Sequence, residues 1–498
     1  MLVRHSYVPV WRSYVSAVTV AAGLVAAGCA GSSGTTGGSD EPAVASPSAA
    51  PAASDPTAAG RSSREILSFD AVDGIFRDRC MACHGGSRSD AGLRMDSWER
   101  LMEGSAFGEA VIPYDPANSL LVELATQRIG GAHPGELGTD TLSAAELDAV
   151  RAWIAEGAAS ASGEFAFAGS RDFVYVTNQD EASISVIDAM TNVVARTVDL
   201  PSLGFSKTSR PHHVAVEPDG AYWYVSLIGE NRVLKFDAAH RLVDEVDFEV
   251  PGMLALDPLS DRLYVGRSMT AVSAPKRIGV IRTSDMSVEE IDVFIPRPHA
   301  LAVAPGGDFV FTASLAENTV VVVDAMTLEV QLLRLDGGLQ VLVQFAVAPG
   351  GGTMVAGGQL SGDLLFFDIT AAPAVREAGS LTVGFGPWHP VYSSDGRWLY
   401  VPNKSANTLT VVDAGARSVD KVLSGPAIAE PHGSAVSPDG RYVYVSNNNL
   451  AGTYAPRHDL GDNANVGTVA VIDTHTNEVV KVLEVGNNAA GVGTRVVQ

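Results

Sequence analysis

Phe173-Val174-Tyr175-Val176-Thr177-Asn178 is followed four residues later by Ser183-Ile184-Ser185-Val186-Ile187-Asp188, and this pair of runs decides the fold. Both are short, rich in β-branched and aromatic residues, and bounded by turn formers, which is the composition of strands. The first run recurs at Tyr222–Leu227, Leu263–Arg267, Phe309–Ser314, Thr353–Gly358, Trp398–Asn403 and Tyr442–Asn447. The second recurs at Arg232–Asp237, Ile278–Arg282, Thr319–Asp324, Asp363–Asp368, Thr408–Asp413 and Thr468–Asp473. The period is roughly 44 residues, the spacing of propeller blades. A third strand follows each pair, as at Val193–Leu200 and Val479–Val485.

A fourth strand runs into a Pro-Asp-Gly-like turn at His213–Gly220, Met253–Asp261, His299–Gly307, Phe345–Gly351, Pro390–Gly396 and Gly433–Gly440. The first repeat lacks this innermost strand, and Gly493-Thr494-Arg495-Val496-Val497 stands where the missing one belongs. Pairing it with the first repeat removes the open sheet edge, so residues 165–498 are expected to form an all-β seven-bladed propeller closed by the C-terminal strand. Tyr175-Val176-Thr177-Asn178, with the repeated Pro-His and Ser-Pro-Asp-Gly segments, resembles the YVTN-type β-propeller family. That resemblance implies a fold and says little about activity, because propellers host many functions.

Residues 63–160 have a different texture, that of a small all-α domain. Ser62 and Glu65 form a capping box ahead of a stripe of Ile66, Phe69, Val72, Ile75 and Phe76. Asp115-Pro116 offers a cap and an N1 proline before Leu120, Leu121 and Leu124. Ser143 and Glu146 repeat the capping box before Leu147, Val150 and Ile154, and Gly157 stops that helix.

Inside this segment, Cys80-Met81-Ala82-Cys83-His84 has the spacing of c-type haem attachment. Two thiols add to the porphyrin vinyl groups, and the adjacent imidazole reaches the iron as proximal ligand. A zinc site needs a second close pair of Cys or His, and a redox dithiol wants a βαβ context; the sequence offers neither. One covalent haem c is therefore expected. Gly92-Leu93-Arg94-Met95-Asp96, Ile112 to Leu121, Leu142-Ser143 and Trp153-Ile154 with Gly157-Ala158 follow in the order of the planctomycete-type cytochrome c domain, which this segment resembles. That family usually presents a methionine in a Met-Pro-Pro stretch before the last helix, where this chain reads Gly131-Ala132-His133-Pro134-Gly135. The resemblance thus implies His133 as distal ligand, with Met102 and Met95 as alternatives. Two histidine ligands lower the reduction potential relative to His/Met.

Arg4, Arg12 and the apolar run Val15 to Gly28 read as an export signal, residues 1–28. Ala26-Ala27-Gly28-Cys29 resembles the lipobox of bacterial lipoproteins, which implies cleavage before Cys29 and lipidation of its sulfur. Ala30 in place of Asp favours the outer membrane by that family's sorting rule. Residues 29–62 are Gly, Ser, Ala, Thr and Pro with almost no large apolar side chain, a flexible tether. The three cysteines are thereby all assigned, with none left for a disulfide. A formal net charge of −23 over 498 residues excludes a nucleic-acid partner and favours positively charged ones, redox proteins among them.

His212, His213, His299, His389 and His432 all stand just before the innermost strand of their blades, so they map to one mouth of the central channel. The second-to-third strand loops share that face, including Asn448 to Val466 with His458 and Asp459. A metal or second haem at this mouth is one reading; turn-capping histidines are the other. The leading expectation is a periplasm-facing lipoprotein that passes single electrons through its haem, with the propeller as docking platform. The alternatives are a redox enzyme working at the histidine mouth and a protein-binding module with a haem redox sensor. The connector, residues 158–169, enters from the face opposite the histidines.

Overall fold

Alternation along each run puts one set of side chains on each face of a sheet, and the strands pair as that requires. β1 (Phe173–Asn178) and β2 (Ser183–Asp188) are antiparallel, with Phe173 opposite Asp188 and Asn178 opposite Ser183, and β3 (Val193–Asp199) adds outside them. The same unit repeats to give seven four-stranded sheets in a computed structural model that describes residues 66–126, 133, 142–458 and 463–496, all within the unit Glu65–Gln498. The last strand, β28 (Ala489–Thr494), occupies the inner edge of the first blade beside β1 and closes the ring.

β28 begins at Ala489, earlier than the expected Gly493–Val497. The reason is steric. It passes so close to β4 (Pro211–Val216), the inner strand of blade two, that a Cβ on Gly491 would lie 2.1 Å from the His212 carbonyl oxygen, and one on Gly493 2.6 Å from that of Val214. Only glycines tolerate that approach. Thr177 Oγ1 accepts a hydrogen bond from the Gly491 amide at 2.8 Å and fixes the register.

Two polar residue types explain the repeated strand ends. Asn178 Nδ2 donates to Ser183 and Ser185 Oγ at 3.0 and 2.9 Å, and Asn403 donates likewise to Thr408 and Thr410. Each such asparagine clamps the turn between its own strand and the next. Asp188, Asp324 and Asp473 accept backbone amides two or three residues ahead, holding the following turn. Between blades one and two, Trp223 stacks between Tyr175 at 4.5 Å and Phe236 at 4.2 Å.

The helical part contains α1 (Asp70–Arg79), α2 (Met81–His84), α3 (Trp98–Met102), α4 (Leu120–Ala125) and α5 (Ala144–Ala155). α1 and α5 meet through Phe69, Phe76 and Trp153, whose rings lie 5.9 to 6.0 Å apart, and through the Arg79–Glu146 ion pair at 3.1 Å. The capping box of Ser143 and Glu146 forms as expected. The other two helix starts differ. Ser62 and Glu65 lie outside the described residues, and the chain at 66–69 is not helical. Glu156 holds the Leu67 amide at 2.9 Å and Ser68 bridges to Ala159, which keeps this stretch extended until Asp70. Asp115-Pro116 forms a turn in which Asp115 accepts the Asn118 amide, and Ser119 takes the position before α4. Ser119 is drawn there because its hydroxyl donates to the Asp115 carbonyl and accepts from the Ile112 amide. No helix among the described residues is long and apolar enough to cross a membrane.

The helical part packs along the outer wall of blades one and seven. Ile112 enters the core formed by Val174, Val194, Leu483 and Val485. Tyr114 lies under the Arg196 guanidinium at 4.1 Å, and the Arg457 side chain reaches the Phe107 carbonyl at 2.6 Å. The domain thus wraps round the rim from its point of entry and touches the long Asn448–Val466 loop. Glu109 accepts the Val194 amide at 3.0 Å, and burial in this junction pushes its carboxyl up to about 7 despite that hydrogen bond and the nearby Lys481 and Arg457. Its pKa is raised in the folded state, so its stabilising contribution is complete below the usual carboxylate value of about 4.5 and fades as pH rises through about 7. Denaturant melts at pH 5 and pH 8 are expected to show the wild type losing stability at the higher pH, and E109Q losing less; equal losses in both proteins would remove Glu109 from the account.

Candidate functional site

α1 ends at Arg79 and α2 begins at Met81, with Cys80 between them in right-handed helical backbone geometry, so the Cys80-to-His84 turn continues the helical path. The Cys83 and His84 amides both donate to the Cys80 carbonyl, at 3.1 and 3.0 Å. This brings both thiols and the imidazole to one end of the helical core. Cys80 and Cys83 are free and half-buried. Burial pushes the Cys80 thiol up to about 11. A redox dithiol relies on a depressed thiol pKa, and Cys80 is shifted the other way.

His84 is anchored by its carbonyl, which accepts the Met95 amide at 2.7 Å. Its Nδ1 is buried without a hydrogen bond of good geometry. Burial lowers its pKa first and the adjacent His133 second, against the raising effect of the nearby Leu93 and Asp90 backbone. The His133 ring stands 6.1 Å from that of His84, inclined at 45°. The structure therefore brings together the two imidazoles that the sequence nominated from positions 49 residues apart. Met95 and Met102 are packed in the helical core with Phe76, Leu101 and Trp153. Cys29 lies outside the described residues.

The five propeller histidines also come together. Ring centroids are 4.9 Å apart for His389 and His432, 5.9 Å for His212 and His299, 6.0 Å for His213 and His389, and 6.2 Å for His212 and His432. Burial lowers the pKa of all five. Among the described residues, however, no three His, Cys, Asp or Glu side chains are grouped as metal ligands. Sequence reasoning missed Trp388, Gln179 and Lys404, which border this cluster; only the adjacency of Trp388 to His389 hinted at any of them. It also missed a cleft of about 530 Å³ where the helical part meets the propeller, lined by Glu109, Asn178, Glu181, Arg457, His458 and Glu484.

Residues 80–131 match the Planctomycete cytochrome C family. A 108-residue stretch is 32% identical to Antigen Lp49 of Leptospira interrogans; it is 21% of this chain and spans only 22% of that relative's length. Among solved structures, a functionally unknown protein from Desulfotomaculum acetoxidans shares the fold at 14% identity and a TM-score of 0.53, over 66% of this chain and all of the other. A chain of Kuenenia stuttgartiensis hydrazine synthase aligns at 20% identity and a TM-score of 0.43, covering 53% of this chain and 76% of that one. The molecule is a cytochrome c-like domain joined to a seven-bladed propeller.

Should haem iron be held here by His84 and His133, H133M is expected to raise the reduction potential and to create a methionine–iron charge-transfer band in the ferric spectrum that the wild type lacks. A wild-type spectrum that already carries the band reassigns the role to Met95 or Met102.

Proposed function

We propose that this chain is a mono-haem c-type cytochrome lipoprotein that faces the periplasm and passes single electrons, with its propeller as docking platform. The observation that carries the reading is the His133 ring 6.1 Å from that of His84, the residue that follows two free thiols in the chain. Two imidazoles this close together, next to a Cys-x-x-Cys pair, are a donor set that suits haem iron. The Leu93 and Asp90 backbone beside the His84 ring fits the same role, because a metal-binding imidazole is oriented through the nitrogen that does not ligate.

Cys80 and Cys83 would hold the porphyrin by thioethers, and His84 and His133 would hold its iron. Haem supplies a one-electron couple when bound, and bis-histidine ligation sets it low. The half-buried apolar side chains Ile75, Leu93, Trp98 and Leu147, packed against the domain core, offer a macrocycle an apolar setting. The net charge of −23 steers positively charged redox partners toward the surface. Lipidated Cys29 and the tether after it would keep the molecule at the outer membrane with its folded part free to dock. A redox enzyme acting at the propeller mouth is the second reading, favoured by the five clustered histidines there, four of them buried.

Protein matured in a host that exports and attaches haem is expected to be coloured, with pigment that resists acid acetone. The double variant C80A/C83A is expected to release its pigment to the same extraction. A colourless wild type, or one that gives up its pigment, overturns the proposal.

A further inference from the structure

The histidines at the channel mouth have a hydrogen-bond polarity dictated by their neighbours. An indole N–H can only donate, and Trp388 Nε1 donates to His432 Nε2 at 3.0 Å. Neutral His432 therefore carries its proton on Nδ1, and that atom is buried without a partner. The Leu254 amide donates to His213 Nδ1 at 3.3 Å, which leaves the proton of that ring on Nε2. Gln179 Nε2 lies 2.9 Å from His212 Nδ1 and donates to it, so the His212 proton sits on Nε2, again buried and unpartnered. His389 Nε2 is the third orphan of the cluster.

Local backbone geometry aims these rings inward. The ladder between inner and second strands shifts register between Pro211 and Val214, between Pro298 and Ala300, and between Pro431 and Ser434. His212, His213, His299 and His432 fall inside those shifts, and such irregularities redirect side chains.

A metal ion needs lone pairs, and three of these rings have already committed theirs to N–H donors of the protein. What is left unpartnered on His212 and His432 is N–H, while His299, whose Nδ1 donates to the Arg267 carbonyl at 2.7 Å, keeps its lone pair on Nε2. A buried donor with no acceptor is destabilising, so two in one cluster call for an occupant that accepts. The surrounding charges have the matching sign. Lys404, 4.9 Å over the Trp388 ring, acts on His212, His389 and His432, while Arg210 and Arg297 act on His212 and His299. Glu430 is the carboxylate that acts on Lys404.

We propose that the propeller mouth binds a small inorganic anion, a halide or a compact oxyanion, held by the Nε2–H of His212 and the Nδ1–H of His432, with His213 and His389 completing the ring and Lys404 supplying charge. The site is independent of the haem. It replaces the metal or second haem expected from the histidine count with a ligand of opposite charge.

The test uses the intact haem-loaded protein, with bromide as probe. Crystals grown without halide and soaked in bromide are expected to show an anomalous peak within hydrogen-bond distance of His212 Nε2 and His432 Nδ1. Calorimetric titration in solution is expected to give saturable bromide binding, weakened about tenfold or more in H432F through loss of a charge-assisted hydrogen bond. W388F, which leaves all five histidines in place but frees His432 to move its proton, is expected to bind bromide more weakly than wild type. Only water at the mouth, a transition metal bound to the rings, no saturable binding in solution, or unchanged affinity in folded H432F would each overturn the proposal. The wild-type measurements stand even where a variant does not fold.

Discussion

The inner strands of the propeller must pass one another almost backbone to backbone, and the rest of the molecule is arranged around that crowding. It requires glycine at 491 and 493, because a Cβ there would collide with carbonyl oxygens of blade two. It also sets the place where the ring closes, since β28 can lie inside β1 only through a stretch that small. Closure removes the two edges that would otherwise offer a row of unpaired backbone groups to other chains. Polar side chains buried at that hub must satisfy one another or hold a guest.

Crowding at the hub leaves the outer strands as the surface on which a second domain can sit. Blades one and seven are joined by the closing strand, and the helical part covers the outer face of that seam through Ile112, Glu109 and Tyr114. The seam is thereby held from inside by β28 and from outside by the helical part. Glu109 makes the outer grip sensitive to protonation, since a carboxylate that accepts one amide in a buried junction is more easily kept neutral than charged.

How much of this is legible in the sequence depends on how local each cause is. The blades are legible because each repeats the same strand, clamp and turn; Asn178 and Asp188 act within a few residues of themselves. The Cys80-to-His84 motif is legible for the same reason. Boundaries set by distant partners are not: α1 starts at Asp70 because Glu156 and Ala159 hold the chain before it, and Ser119 displaces Asp115 because Ile112 needs its hydroxyl. His133 was reachable only through a resemblance, because its meeting with His84 depends on folding that no spacing rule encodes.

The histidine mouth shows the same division most sharply. That five imidazoles would share one end of the channel follows from their equivalent positions in the repeat, and counting them suggests a metal. Their chemistry is decided elsewhere, by an indole 44 residues before His432, a backbone amide 41 residues after His213 and an amide side chain 33 residues before His212. A histidine has one lone pair and one N–H to give when neutral, and the neighbour that takes the first determines that the second is what remains. Residue type and position therefore locate a site, while the sign of the ligand it accepts is written in the partners of the ring nitrogens that face away from it.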